Sequence, residues 1–236
     1  MTKVCILFFG LFRKFELSLP SIQKNIFEPL EKNNILFDLY IHTFNLPSYH
    51  DEHIGDIVKN YDNEQYKLLN IDYNIIVDEQ IEIDKTLKFG DFLKKQNPWS
   101  FRGPDSVNLM KNVLRQLYSL NNVYTQTINK EYDAYLFVRP DMIYYTPLPL
   151  EKITFPIKNE IYLINEYTYG GYCDRFCITS KQGAEIFISR FKSIYHCSNL
   201  HSEQFLKKIV DKSGMDIKFI SFHTKRIRSS GAILEG

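Results

Sequence analysis

Tryptophan is almost missing from this chain, with one residue against 16 tyrosines and 18 phenylalanines in 236. Cysteine is also scarce. Cys5, Cys173, Cys177 and Cys197 are too few and too scattered for a disulfide framework. Cys173 and Cys177, followed by His196, Cys197 and His201, make a zinc site conceivable. Their spacing fits no standard finger, so buried free thiols are the default. An excess of one charge is lacking too: 29 Lys and Arg stand against 28 Asp and Glu, a net +1. No global field steers a polyanion, so a nucleic-acid partner has no support. No window approaches the ~20 apolar residues of a membrane span. The opening "MTKVCILFFGLFRK" has only a short apolar run, ends in Arg13-Lys14, and is followed by no small-residue cleavage site. It reads as a first buried strand, and the protein as cytoplasmic, at most resting on a membrane surface. There is no GxGxxG and no Walker lysine motif, which argues against the standard dinucleotide and P-loop sites. Repeats and low-complexity tracts are absent.

What is present is an ordinary globular composition, 44% hydrophobic and 24% charged, in a length that suits one domain, residues 1–236. Lys3 to Phe9 is a continuous apolar run suited to a strand covered on both faces. Ser18 is positioned to cap a helix from about Leu19-Pro20 to Lys32, and Ile35 to Thr43 reads as a second strand. Strand, helix and strand in 40 residues make a βαβ unit, hence an α/β fold with a mostly parallel sheet flanked by helices. Further strands are expected at Tyr73–Gln80, Tyr132–Val138, Glu160–Asn165, Arg175–Thr179 and Met215–Phe222. Helices are expected at Asp105–Asn129, with Leu109, Val113, Leu117 and Leu120 as its apolar stripe, at Lys181–Lys192 capped by Ser180, and at His201–Lys212 closed by Gly214. Residues 45–104 are the least legible. The part from residue 82, with Gly90, Pro98, Gly103 and Pro104, reads as a long loop or small lobe.

Ligands in open α/β sheets gather at the carboxyl ends of the strands. That edge should carry Gly10, Leu11, Phe12 and Arg13; His42 and Thr43; Arg139, Pro140 and Asp141; Gly170, Gly171 and Asp174; and His223, Lys225, Arg226 and Arg228. Each has a plain structural reading: a turn glycine, a surface ion pair worth ~0–1 kcal/mol, a structural histidine or a solvated basic face. Their gathering at one sheet edge favours a phosphate-bearing ligand held by a metal or an arginine clamp.

Five stretches carry a resemblance: "ILFFGLFR", "LRQLYSLNNV", "YDAYLFVRPDM", "GGYCDRFCITS", and "HSEQFL" leading to "KRIRSSG". In that order the chain resembles a GT-A fold glycosyltransferase. It is most similar to small sugar transferases that build surface polysaccharides in bacteria and giant viruses; a viral source would place it in the host cytoplasm. The resemblance implies that Phe9, Gly10, Leu11 and Arg13 hold base and ribose. It puts Asp141 on the metal-binding aspartate of a DxD motif, with Arg139 in place of the first acid. It likens Gly170-Gly171 to the family's acceptor-side loop, Glu203 to its catalytic acid with Asp174 as rival, and His223 to a late metal-shell histidine. Lys225 and Arg228 join the nucleotide-sugar contacts. Mn²⁺ or Mg²⁺ is the implied cofactor, and the arginine at the first acidic position is the departure that bears on it.

Glycosyl transfer explains these residue types. A carboxylate base takes the acceptor proton, and a metal or Arg and Lys stabilise the leaving nucleoside diphosphate. The expected activity is hexosyl or deoxyhexosyl transfer from a nucleotide-sugar, a UDP-sugar by preference, to a glycan hydroxyl with inversion. A sugar-phosphate nucleotidyltransferase and a non-catalytic carbohydrate-binding module stand as alternatives.

Overall fold

The apolar run at the start of the chain is the spine of the protein. In the computed structural model, which describes residues 1–51, 56–95, 106–197 and 201–234, it forms β1 (Lys3–Phe9), central in a seven-stranded sheet. Side chains alternate across a strand. Val4, Ile6 and Phe8 therefore enter one apolar core, while Cys5, Leu7 and Phe9 enter the other on the opposite face. A strand covered on both faces has no room for polar residues, which is why this one reads as unbroken hydrophobicity.

From β1 the chain passes through α1 (Phe15–Ile22), one wide helical turn at Gln23–Phe27 and α2 (Glu28–Lys32) into β2 (Leu36–Asn45). A short ribbon, β3 (Tyr49–Asp51) with β4 (Asp56–Val58), precedes β5 (Asn74–Glu79), the edge strand beside β2. Then come α3 (Gln80–Thr86), α4 (Phe89–Lys95), α5 (Ser106–Thr125) and β6 (Ala134–Val138), which pairs with the other side of β1. β7 (Met142–Tyr144) follows at once, then β8 (Glu160–Ile164), β9 (Phe176–Thr179), α6 (Lys181–Ile188), α7 (Arg190–Ser193), α8 (Ser202–Asp211) and β10 (Asp216–Ile220). β11 (Thr224–Ile227) and β12 (Ile233–Leu234) end the described chain.

The large sheet runs β10-β8-β9-β6-β1-β2-β5, and only β9 is antiparallel to its neighbours. The expected α/β class, with a mostly parallel Rossmann-like sheet flanked by helices, is what the chain adopts. From β1 the chain builds outward on one side through β2 and β5, then returns to β6 on the other. The carboxyl ends of β1 and β6 therefore border the crevice where the strand order reverses, the favoured ligand position in such sheets. A second sheet, β12-β11-β7, stands at that end. Among the described residues no helix is long and apolar enough to cross a membrane.

Several expectations need correcting. The first helix begins at Phe15, before Ser18. Gln65 Oε1 receives the Phe15 N–H at 2.6 Å, and the Phe15 ring packs on Phe8 and Phe12. Ser18 is thus inside the helix, and its hydroxyl donates to Pro140 O at 2.6 Å. Residues 82–95 are largely helical rather than loop, while 96–105 lie outside the described residues. The stripe expected on α5 is rotated. Met110, Leu114, Leu117 and Leu120 fill the core, whereas Leu109 and Val113 line a cleft. The helix capped by Ser180 divides at Ser189, and its cap is the one expected, Gly183 N donating to Ser180 Oγ. Cys5, Cys173 and Cys177 are buried and Cys197 is half-buried. Among the described residues no three His, Cys, Asp or Glu side chains form a metal-binding group.

One face of the first helix fixes the segment after β6. Besides the Ser18 bond, Ser21 Oγ accepts from Tyr144 N at 3.1 Å and Asn25 Nδ2 donates to Tyr144 O at 2.6 Å. A buried carbonyl stripped of its donor costs about 1–3 kcal/mol. Ser18→Ala should therefore lower unfolding free energy by about that much in urea titrations; an unchanged midpoint would show that Pro140 does not depend on this bond.

Candidate functional site

Arg139-Pro140-Asp141 is the link between the two sheets, and its geometry follows from strand register. β6 ends at Val138 and β7 begins at Met142. β11 pairs antiparallel with β7 so that Arg226 lies opposite Met142, and Ile227 N donates to Asp141 O at 2.9 Å. The two-residue period of β11 then sorts its cations. Arg226, and Arg228 beyond the strand end, line the cleft, while Lys225 on the other face sits 5.8 Å from the Tyr145 ring. Lys225, assigned above to the nucleotide-sugar contacts, is therefore not part of the cleft wall.

The cleft encloses about 380 Å³ at the crevice beside β1 and β6. Arginines from five places in the chain line it: Arg13, Arg115, Arg139, Arg175, and Arg226 with Arg228. No carboxylate does, among the described residues. Asp141 lies just beneath, 1% exposed. Arg139 grips it with both arms of its fork, Nε to Oδ1 at 2.8 Å and Nη2 to Oδ2 at 2.7 Å. Arg226 Nε reaches Oδ2 at 3.4 Å and Arg13 Nη1 at 3.8 Å.

Burial alone would raise the Asp141 pKa, but Arg139, Arg226 and Arg13 together hold it well below the usual carboxylate range. The cations are left in excess. Burial, then the neighbouring Arg139 and Arg13, push Arg226 down to about 9. A guanidinium keeps its proton in proteins, so the shift marks a cation that is buried first and crowded by other cations second. Arg13 has open donors beside it. It is 6% exposed, its guanidinium lies 4.4 Å from the Tyr49 ring, and Nε and Nη1 have no hydrogen-bond partner. Buried donors left open in this way call for an anion.

Asp174 lies at the other end of a short polar chain, and its charge acts on Glu203. Arg139 Nη1 donates to Gln116 Oε1 at 2.7 Å, and Gln116 Nε2 donates to Asp174 Oδ2 at 3.1 Å. Ser202 Oγ also donates to Asp174, and the fully buried Arg190 lies 3.8 Å from it. Burial opposes the Asp174 charge, but Arg190, Ser202, Arg139 and Arg175 outweigh it and keep the pKa low. Glu203, in the first turn of α8, behaves oppositely. Burial first, and then the Asp174 charge, push it up to about 7. Two carboxylates driven apart in this way mark a division of labour between a fixed charge and a proton carrier.

The glycines explain how Glu203 is held. Gly170 has φ 79°, and Gly171 is backed directly against the Glu203 carbonyl, where any Cβ would collide. Tyr172 N donates to Glu203 O at 3.0 Å, and Gln204 Nε2 donates to Tyr169 O at 3.2 Å. Gly170 and Gly171 thus dock α8; neither lines the cleft, whose wall reaches Tyr169 and Arg175. Gly10, at φ 93°, turns the chain out of β1, and its N–H is received by Ser119 Oγ at 2.8 Å. Leu11 and Arg13 follow on the cleft wall, whereas Phe9 is wholly buried in the core. His223 is not brought to Asp141: its Nδ1 bonds Glu166, and the side chain is exposed.

Ser119, His42 and Asp78 bond in series, 2.8 Å from Ser119 Oγ to His42 Nδ1 and 3.0 Å from His42 Nε2 to Asp78 Oδ2. This is a strut and not a nucleophile. Ser119 is fully buried and already donates to His42 O at 3.0 Å while receiving Gly10 N–H. Sequence reasoning missed Gln116, Arg115, Arg175 and Tyr49. The signal for Gln116 was available, because Leu109, Asn112, Val113 and Gln116 recur at helical spacing and share the cleft-facing side of α5.

No family model matches the chain, and no curated protein matches it. Among solved structures it is similar to mouse xyloside xylosyltransferase 1 in its apo form, at 11% identity over 93% of this chain and 84% of that one, with a TM-score of 0.43.

The raised Glu203 pKa has a sign that can be checked. Between the ordinary carboxyl range and about pH 7 the folded protein binds the extra proton. The resulting penalty is absent below that range, grows as pH rises and is complete above pH 7. Glu203→Gln should therefore stabilise the protein by roughly 1–3 kcal/mol at pH 8 and little at pH 4. Urea unfolding at both pH values tests this; equal effects would show that Glu203 titrates normally.

Proposed function

We propose that this protein is a glycosyltransferase that moves a sugar from a nucleoside-diphosphate donor to a hydroxyl of a glycan acceptor. The observation that carries the reading is the pairing of two opposite features joined by the Arg139–Gln116–Asp174 chain. At one end, arginines crowd a cleft that no carboxylate lines among the described residues. Past the other, burial and the Asp174 charge raise Glu203 to a pKa of about 7. The first feature suits a leaving diphosphate, and the second suits a general base working near neutral pH.

In the proposed reaction the acceptor oxygen attacks the anomeric carbon and its proton passes to the Glu203 carboxylate. The bond from that carbon to the donor phosphate oxygen breaks, and its electron pair leaves with the nucleoside diphosphate. Charge builds on that oxygen, where Arg139, Arg226 and Arg13 are already in place and need no reorganisation. Asp174 stays ionised beneath Gln116 and Ser202 and keeps the Glu203 pKa up. One base opposite one leaving-group site gives single displacement with inversion. Tyr49 and Leu11 offer an apolar wall near the β1 end of the cleft where a base fits.

The residues present do not fit the divalent ion that the family resemblance implies. Both Asp141 oxygens are taken by Arg139, and His223 is engaged with Glu166 elsewhere. No step above is routed through a metal.

A screen of nucleotide-sugars with oligosaccharide acceptors, read as nucleoside diphosphate release, tests the function. We expect release with at least one donor, with a rate that rises with pH through about 7 as Glu203 loses its proton. Glu203→Gln should retain donor binding and lose roughly 10²-fold or more in turnover. Donor binding without release in the wild type would make the protein a binding module, and binding of no nucleotide-sugar would discard the donor site.

A further inference from the structure

We propose that the anion end of the cleft is a guanidinium clamp that takes the donor diphosphate without a divalent cation, and that Asp141 is the positioning residue of the clamp. This rests on reading the cleft as a nucleotide-sugar site.

A Mg²⁺ or Mn²⁺ site needs carboxylate oxygens with lone pairs free to face the ion, and room for its octahedral shell. Asp141 is ill-suited on both counts, being 1% exposed and fully engaged in charge. Its two oxygens accept the Arg139 fork at 2.8 and 2.7 Å, and Oδ2 has two further guanidiniums within 3.4 and 3.8 Å. A dication at Oδ2 would have to displace Arg139 and then stand among three fixed positive charges. Among the described residues no carboxylate lines the cleft to offset that repulsion, and the nearby Asp174 is already engaged by Arg190, Ser202 and Gln116.

The same geometry suits an anion. One buried carboxylate shares three guanidiniums, which leaves a positive remainder. Arg13 keeps Nε and Nη1 without hydrogen-bond partners although it is 6% exposed. Arg13 and Arg226 come from separate elements, the loop after β1 and β11, while Arg139, its fork closed on Asp141, adds positive charge between them. The two can therefore meet oxygens on two linked phosphates, whereas a single phosphate would leave one of them unused. Asp141 sets their spacing from below. Its own backbone is fixed by Ile227 N at 2.9 Å, and that of Pro140 by Ser18 Oγ at 2.6 Å. The arginine in the place of the first acid is then the reason the site works without a metal.

Calorimetric titration of UDP, GDP, CDP and ADP, with inorganic pyrophosphate and the matching nucleoside monophosphates, decides the matter when run in excess EDTA and again in millimolar Mn²⁺. For the best diphosphate we expect Kd values within about twofold in the two buffers, and weaker monophosphate binding. Arg226→Met should weaken the diphosphate about tenfold or more in both, with Arg226→Lys recovering part of the loss. Asp141→Asn should weaken it by the same factor in both buffers and raise the donor KM more than it lowers kcat. Binding that requires Mn²⁺, or an Asp141→Asn loss confined to Mn²⁺, would overturn the clamp and leave the transferase reading standing. Failure of every nucleoside diphosphate to bind in either buffer would remove the transferase reading as well.

Discussion

The bidentate pair between Arg139 and Asp141 is the interaction on which the site depends. Removing a charge from water costs several kcal/mol per ion, so a carboxylate as buried as Asp141 persists only when matched in charge and geometry. The Arg139 fork supplies that match through two short bonds. Asp141 still has negative potential to share, and it draws Arg226 and Arg13 inward. The outcome is more cation than the carboxylate can balance, displayed on a cleft wall. Such a site is poised for an anion before one arrives, and preformed charges are those that stabilise a leaving group most effectively.

The rest of the architecture serves that pair and its connection to the carboxylates. The first helix holds the β6–β7 link through Ser18, Ser21 and Asn25, and β11 closes it from the other side. Gln116 carries the connection from Arg139 to Asp174 without adding charge, so the cationic and acidic ends stay distinct. Burial, and then the ionised Asp174, raise Glu203, whose carbonyl Gly171 admits to close contact as no larger residue could. One buried charge thus organises the proposed donor site, and a second adds to burial in raising the proton affinity of the proposed base.

Much of the fold was legible because it rests on periodicity. The strands at Lys3–Phe9, Leu36–Asn45, Asn74–Glu79, Ala134–Val138 and Asp216–Ile220 follow from apolar runs, and Ser180 and Gly214 act as helix boundaries for ordinary local reasons. The cleft arginines at 13, 139, 226 and 228 were found by asking what sits at strand ends. What the sequence hid were non-local choices. The antiparallel β9 and the small β12-β11-β7 sheet depend on pairings between distant segments. Lys225 and Arg226 look alike in a basic run, and only the β11 register sends one into the cleft and the other out of it. Ser18 looked like a cap because its longer-range acceptor, Pro140 O, is 122 residues away. Nothing local in the sequence announces that the His223 ring bonds Glu166, 57 residues away.

A crystal structure of the protein with a bound nucleoside diphosphate, grown with Mn²⁺ and measured at the manganese absorption edge, would test the central claim most directly. The account predicts phosphate oxygens within hydrogen-bond distance of Arg13 and Arg226, the Arg139–Asp141 fork intact, and no anomalous peak at the Asp141 carboxylate. A manganese peak bridging Asp141 and the diphosphate, with Arg139 turned away, would contradict it.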